Sequence, residues 1–325
     1  MSGQRRNVMV LAGGPDRERP VSLMSARQVV AALERAGHEV RQRDVVPADF
    51  SCLDEFAHWP GDVLLPVLHG PWGEGGGLQR EMDRRGLPYV GSTATAAALS
   101  MDKHRTKLVL AEHGLATPPH ELVSAGEPMA LSPPVVIKPI AEGSSIDLHI
   151  CKDRDQVESA RTALYPRYGQ LLVEQYIDGI ELTVAILAGR DGPRTLPIVQ
   201  IVPATEFYDY QAKYERQDTQ YLFEPDLPPA LIGRIKQMAL KTHMVLGCRH
   251  LSRVDLMVDR DLEPWILEIN TIPGLTSHSL IPMAAAQAGM AMPDLVDRLV
   301  SLAWDDRKSR ETRVESHPPG VMSRA

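Results

Sequence analysis

The chain has 325 residues, 43% of them hydrophobic and 24% charged, and a formal net charge of −7. This describes a globular protein of two or three domains with a sizeable core, and the acidic balance speaks against a general nucleic-acid binder, which would show a basic footprint. No segment approaches the roughly 20 apolar residues of a membrane span; the N-terminal apolar run is too short for a signal peptide and is broken by Gly13-Gly14; and Cys52, Cys151 and Cys248 follow no metal spacing, so free thiols in a reducing cytoplasm are expected.

Residues 7–12 (NVMVLA) predict a strand, followed by Gly13-Gly14, a helix from Ser22 to Arg35 that closes at Gly37, and a second strand, HEVRQRDV. A second cycle follows: DVLLPVLHG, a glycine-rich loop, a helix near Leu78 to Arg85, and LPYVG. Strands alternating with helices imply a parallel sheet, so residues 1–95 are expected to form an N-terminal α/β domain of Rossmann-like build. Thr95 to Gly114 has a helical pattern with Met101-Asp102-Lys103 inside it. VVIKPIAEGSSIDLHIC then predicts strand, loop, strand, and QLLVEQYIDGIELTVAIL repeats that style, giving a small α+β unit over 96–185. Residues 186–305 hold a further sheet, a helix from Pro229 to Leu246, and an acidic hairpin. The polar, tyrosine-rich run from Pro203 to Pro228 has the length of a closing lid, and the polar tail at 306–325 is expected to be disordered.

Four stretches carry chemistry. In RVDLMVD and WILEIN, strand alternation puts Arg253 with Asp255 on one face and Glu268 with Asn270 on another, and a turn at Asp259–Asp261 lets the strands pair. Asp255, Glu268 and Asn270 then converge as hard oxygen ligands, a set that suits Mg²⁺ held beside substrate phosphates; a solvated hairpin tip is the plainer alternative, but carboxylates among strand apolars are costly to bury unpaired. Lys138 ends an apolar strand before Gly143-Ser144-Ser145, a loop able to cradle phosphate oxygens, or else an ordinary β-turn; no Walker motif is present. HGPWGEGGGLQ places His69 and Glu74 at the end of a parallel strand, where such sheets bind ligands. GGPDRERPVSL lacks the GxGxxG of a dinucleotide fold.

Together these pieces resemble the ATP-grasp enzymes, and most closely the D-alanine–D-alanine ligase family, over about residues 7 to 303. The matching strings include LHGxxGExGxLQ, ALSMDKHRTK, VVIKPIAEGSS, FYDYQAKY, RVDLMVD and LEINTIPGLTSHSLIPMAA. The resemblance implies a three-domain ATP-grasp fold, α/β and α+β, that uses ATP with Mg²⁺ or Mn²⁺ to join two D-alanines through an acyl phosphate for peptidoglycan precursors. It implies a cytoplasmic homodimer whose partners are small molecules, with no nucleic acid or membrane. Lys103 and Lys138 match the phosphate-binding lysines, and Glu174, Gln175, Tyr176 and Ile177 the hinge at the adenine. Glu181 matches the ribose carboxylate, and Phe207, Met257 and Leu267 the adenine walls. Lys213 and Tyr214 lie in the lid; Ser144 matches the serine that bonds the lid tyrosine. Arg253 matches the arginine that stabilises the transition state, Asp255, Glu268 and Asn270 the metal ligands, Ser279 and Leu280 the second D-alanine pocket, and His69 lies near the first. In the family, the glutamate before the Val-Ser pair anchors the first D-alanine's ammonium; here that position is Pro20, while Glu18 matches a different position. A changed first substrate is therefore an alternative, and a nucleotide-binding protein without turnover a more distant one. Asp147 stands where a glycine usually follows the GSS loop, and Gln211 replaces an acidic lid residue.

Overall fold

A computed structural model describes residues 4–189, 191–204, 216, 218–223 and 225–316, with side chains described through 307. Phe207, Gln211, Lys213 and Tyr214, and with them most of the expected lid, lie outside the described residues.

The N-terminal unit is built on three parallel strands, β1 (Asn7–Gly13), β2 (Glu39–Val45) and β3 (Val63–Pro66), in the order β2-β1-β3. Helix α1 (Arg19–Arg35) connects the first two. It starts earlier than the expected Ser22, because Pro20 occupies its first turn, where a missing N–H costs nothing and a fixed φ suits the helix. α2 (Ser51–His58), α3 (Gly70–Gly73) and α4 (Gly77–Arg84) follow. The expected strand LPYVG is reduced to a bridge between Tyr89 and Leu64. The expected long helix over 95–114 is two helices, α5 (Ala94–Met101) and α6 (Lys103–Glu112). Asp102 separates them: it takes an extended backbone, and its side chain caps α6 by accepting from the Arg105 amide at 2.9 Å.

The middle sheet is antiparallel, β4 (His120–Ser124), β5 (Val135–Lys138), β6 (His149–Cys151) and β7 (Gln170–Gln175) in the order β4-β7-β5-β6, covered by α7 (Arg154–Tyr168). The third sheet contains β8 (Gly179–Leu187), β9 (Arg194–Thr195), β10 (Val199–Val202), β11 (Gln220–Leu222), β12 (Leu251–Asp259) and β13 (Pro264–Asn270) in the order β11-β10-β8-β12-β13, with β9 on β8. Helices α8 (Pro229–Val245), α9 (Leu280–Gln287) and α10 (Met292–Ser316) complete the chain. β8 was expected to close the middle unit at 185; it lies instead at the heart of the third sheet, paired with β10 and β12. Its apolar run explains this. Leu182, Val184 and Ile186 face a core with α8, while Ala185 and Leu187 face a core shared with β1, α1, α9 and α10. A strand buried on both faces belongs inside a sheet, not at the edge of one. The expected disordered tail begins as the last turns of α10.

The first and third sheets thus share one apolar core, whereas the middle sheet and α7 bury their own, around Val135, Ile137, Leu164 and Leu171.

Candidate active site

The functional side chains meet where the middle sheet faces the third. On the third sheet, Arg253 pairs with Asn270 and Asp255 with Glu268 across β12 and β13, so all four share one face at the strand ends, as their alternation predicted. A bulge follows: Leu256 pairs with Ile266, which leaves Leu267 as the extra residue on β13. Leu267 and Glu268 consequently line the same cavity, which neighbours in a regular strand could not do.

Asp255 is buried and heavily bonded. It accepts from Arg253 Nε at 2.9 Å and Nη2 at 2.7 Å, from the Thr183 hydroxyl at 2.6 Å, and from Asn270 Nδ2 at 3.1 Å. The bidentate arginine fork fixes both groups in one plane. Glu268 Oε2 lies 3.4 Å from Lys103 Nζ, which also donates to the Glu142 carbonyl at 2.5 Å. Among the described residues no group of three or more His, Cys, Asp or Glu is gathered to hold a metal; the oxygen donors here are two carboxylates and one amide.

Opposite stands a buried ion triad. Glu174 lies 2.8 Å from Lys107 Nζ and 2.7 Å from Lys138 Nζ. Burial alone would raise the Glu174 carboxyl, but the two lysines outweigh it and hold it at about 2. Burial pushes Lys107 down to about 8, against the pull of Glu174. Lys107 also donates to Thr117 Oγ1 at 2.6 Å, and that hydroxyl donates to the Ile266 carbonyl at 2.9 Å, tying the triad to β13. Lys107 was not singled out from the sequence, although it stands one turn after Lys103 on the same face of α6. Glu174 therefore presents its carboxylate to lysines, while Gln175, Tyr176 and Ile177 line the opening.

Two cavities adjoin. One, of about 340 Å³, is lined by Lys103, Lys138, Glu181, Met257, Leu267 and Glu268 among others. The other, of about 470 Å³, is lined by Glu18, His69, Glu74, Ser144, Asn270 and Ser279 among others. Arg253, Glu268 and Leu280 border both.

The second cavity corrects the expectation for the glycine-rich N-terminal loop. Pro20 is exposed on the helix start, while Glu18, the α1 N-cap residue, is buried and accepts from the Ser144 hydroxyl. The buried carboxylate of this loop is thus two positions earlier than expected, because the helix turns position 20 outward. Gly143 permits the approach: a Cβ there would stand 2.9 Å from Glu18 Oε2. Glu74 is buried beside Glu18; burial first, and then the Glu18 charge, raise its carboxyl well above the usual range. His69 is buried, with Nδ1 3.1 Å from the Ile272 carbonyl, so Nδ1 carries the hydrogen, and Nε2, which has no hydrogen-bond partner among the described residues, is an acceptor. Burial pushes its imidazole down to about 4, which keeps it neutral. Ser279 is the N-cap residue of α9, whose first turn has no side-chain cap. The Ser279 hydroxyl instead meets Thr276, 2.8 Å from Oγ1.

The family model described as D-ala D-ala ligase C-terminus matches residues 109–301. The D-alanine–D-alanine ligase of Desulforudis audaxviator is 43% identical over 309 residues, covering 92% of this chain and 99% of the relative. The D-alanine–D-alanine ligase B of Chromobacterium violaceum is 41% identical over 90% of this chain and 96% of its own. Among solved structures, the D-alanine–D-alanine ligase of Bacillus anthracis complexed with ATP superposes with a TM-score of 0.80 at 29% identity, covering 94% of this chain and 99% of that one.

Proposed function

The chain belongs to the D-alanine–D-alanine ligase family, and we propose that its first cavity takes ATP with a divalent cation and its second takes the two D-alanines that it joins. It is an ATP-dependent ligase of peptidoglycan synthesis, and its relatives do not favour the changed-substrate alternative; the buried Glu18 carboxylate, which accepts from Ser144, supports an ordinary first-substrate site. No described helix is long and apolar enough to cross a membrane; a cytoplasmic homodimer is the reading we favour.

The observation that carries the assignment of sites is the junction. A cavity lined by Lys103 and Lys138 and a larger polar cavity share Arg253 and Glu268 as a common border. Phosphoryl transfer needs the γ-phosphorus of one ligand within reach of a carboxylate oxygen of the other, and a shared border supplies that. The apolar walls Met257 and Leu267 suit a purine, Glu181 suits a ribose hydroxyl, and Lys103 and Lys138 suit phosphates. Asp255, Glu268 and Asn270 fit Mg²⁺, or Mn²⁺ in its place: the donors are hard oxygens on adjacent strands that share one face. Held there, such an ion would supply positive charge to offset that of the phosphates. Glu18 and the neutral Nε2 of His69 are acceptors suited to the first D-alanine's ammonium. The uncapped amides at the start of α9, with Ser279, suit the second D-alanine's carboxylate.

The chemistry follows. A carboxylate oxygen of the first D-alanine bonds to the γ-phosphorus as the bond to ADP breaks, giving an acyl phosphate. The amine of the second attacks the carbonyl carbon, phosphate leaves, and the amine proton is lost. Arg253 sits at the border where the charge of both steps develops. By resemblance, Lys213 and Tyr214 would close over this point, with Tyr214 reaching Ser144, and Phe207 would complete the adenine wall. The test is phosphate release from Mg²⁺-ATP with and without D-alanine, with the product identified by mass spectrometry. D-alanine-dependent release with D-alanyl-D-alanine as product is expected; release indifferent to D-alanine would overturn the assignment.

A further inference from the structure

Ser144, Ser145 and Asp147 have φ values of 52°, 56° and 57°. L side chains rarely take this left-handed conformation, and three in four positions make a strained loop that its surroundings must hold. Inside the loop the Ile146 amide donates to the Gly143 carbonyl at 3.0 Å, and the Leu148 amide to Ser145 at 3.4 Å. The Asp147 carboxylate anchors the loop from outside. It accepts from the Tyr168 hydroxyl at 2.5 Å and lies 2.8 Å from Arg167 Nη2, both at the end of α7. It also lies 3.4 Å from Arg17 Nη1, in the N-terminal unit beside Glu18. Burial would raise this carboxyl, but Tyr168 and the arginines outweigh it and hold it below its ordinary value, so it is ionised at neutral pH. The pair with Arg17 is exposed and weak alone; the Tyr168 bond is the less exposed one. A glycine would accept the backbone angle but make none of these links.

We propose that Asp147 is a positioning residue: it holds the strained loop so that Ser144 meets Glu18, and thereby shapes the site for the first D-alanine. The proposal rests on reading Ser144 and Glu18 as a wall of that site. Asp147 acts through Ser144 and touches no substrate itself.

The test is steady-state kinetics on the full chain with separate KM values for ATP and for each D-alanine. Asp147→Gly keeps the left-handed backbone and removes the links; KM for the first D-alanine should rise about tenfold, with that for the second D-alanine unchanged. Asp147→Asn, which tolerates the same φ and keeps an acceptor for Tyr168, should recover most of the loss. Tyr168→Phe should move the same KM in the same direction. A role limited to stability would lower the melting temperature without separating the two D-alanine KM values, and that result overturns the proposal. So does wild-type first-site KM in Asp147→Gly. In that case Ser144→Ala distinguishes the two layers: a raised first-site KM leaves the reading of the site standing and removes only the tether, whereas an unchanged one removes both.

Discussion

Replacing Glu18 by glutamine should weaken the first substrate site while leaving the fold as stable or more so. Glu18 is 4% exposed, accepts from Ser144, and has Glu74 as a buried neighbour whose carboxyl its charge helps to raise. A hydrogen bond to a charged partner is worth about 1.5–3 kcal/mol, and a neutral one about 0.5–1.5. The substitution keeps the second kind and loses the first, a difference of about 1–2 kcal/mol, or about five- to thirtyfold in KM for the first D-alanine. For the fold the balance runs the other way, since a buried charge that crowds the Glu74 carboxyl disappears. Pro20→Glu, by contrast, adds an exposed acid to the first turn of α1. It gains about 0.3–1 kcal/mol from the helix dipole and loses a similar entropic contribution of proline, so it should change neither stability nor KM. The assay is two-site kinetics with thermal melting. If Glu18→Gln kept the wild-type first-site KM and Pro20→Glu tightened it, the placement of the ammonium at Glu18 would be wrong.

Asp255→Asn should abolish turnover with Mg²⁺ or Mn²⁺, because it removes metal charge and disrupts the Arg253 fork together; full activity at ordinary Mg²⁺ would sink the metal assignment. Lys107→Met should raise KM for ATP and cost about 3 kcal/mol or less in urea unfolding, since Glu174 keeps Lys138 as a partner; no change in either would remove Lys107 from the site. Glu174, held at about 2 when folded, contributes stability that is complete above its ordinary unfolded value of 4.5 and drains away as pH falls toward 2. Lys138→Met/Lys107→Met should flatten that acid limb, and an unaltered slope in denaturation against pH would refute the triad. The Cys52 thiol, buried and pushed up to about 11 mainly by that burial, should alkylate slowly at pH 7.5 in the native protein and quickly in urea; fast native labelling would contradict its burial.

What the sequence disclosed was whatever depends on short-range pattern. Alternation in RVDLMVD and LEIN was enough to bring Arg253, Asp255, Glu268 and Asn270 to one face. The alternating strands and helices of the first 66 residues likewise gave a parallel sheet. What it concealed depends on partners distant in the chain. The bulge that turns Leu267 inward inserts a residue without altering the apolar pattern. β8 reads as the end of one sheet until the faces that bury it are known. Glu18 and Pro20 are two positions apart, and only the start of α1 decides which one faces inward. Lys107 carried a visible cue, its spacing from Lys103, but a second lysine on a helix face is ordinarily a solvated one.

The separate core of the middle sheet has a thermodynamic consequence. The links described between that sheet with its strained loop and the rest of the chain are polar: Lys103 to Ile140 and Glu142, Lys107 to Glu174, Ser144 to Glu18, Arg17 to Asp147. The apolar surfaces that face each other, Val136 and Ile150 on one side, Met257 and Leu267 on the other, do so across the cavity. A purine placed there would serve as the oily filling between two bodies that otherwise touch through water-compatible groups. Binding of the whole nucleotide should therefore carry a clearly negative heat-capacity change, whereas tripolyphosphate, which reaches the same lysines without a base, should bind with almost none.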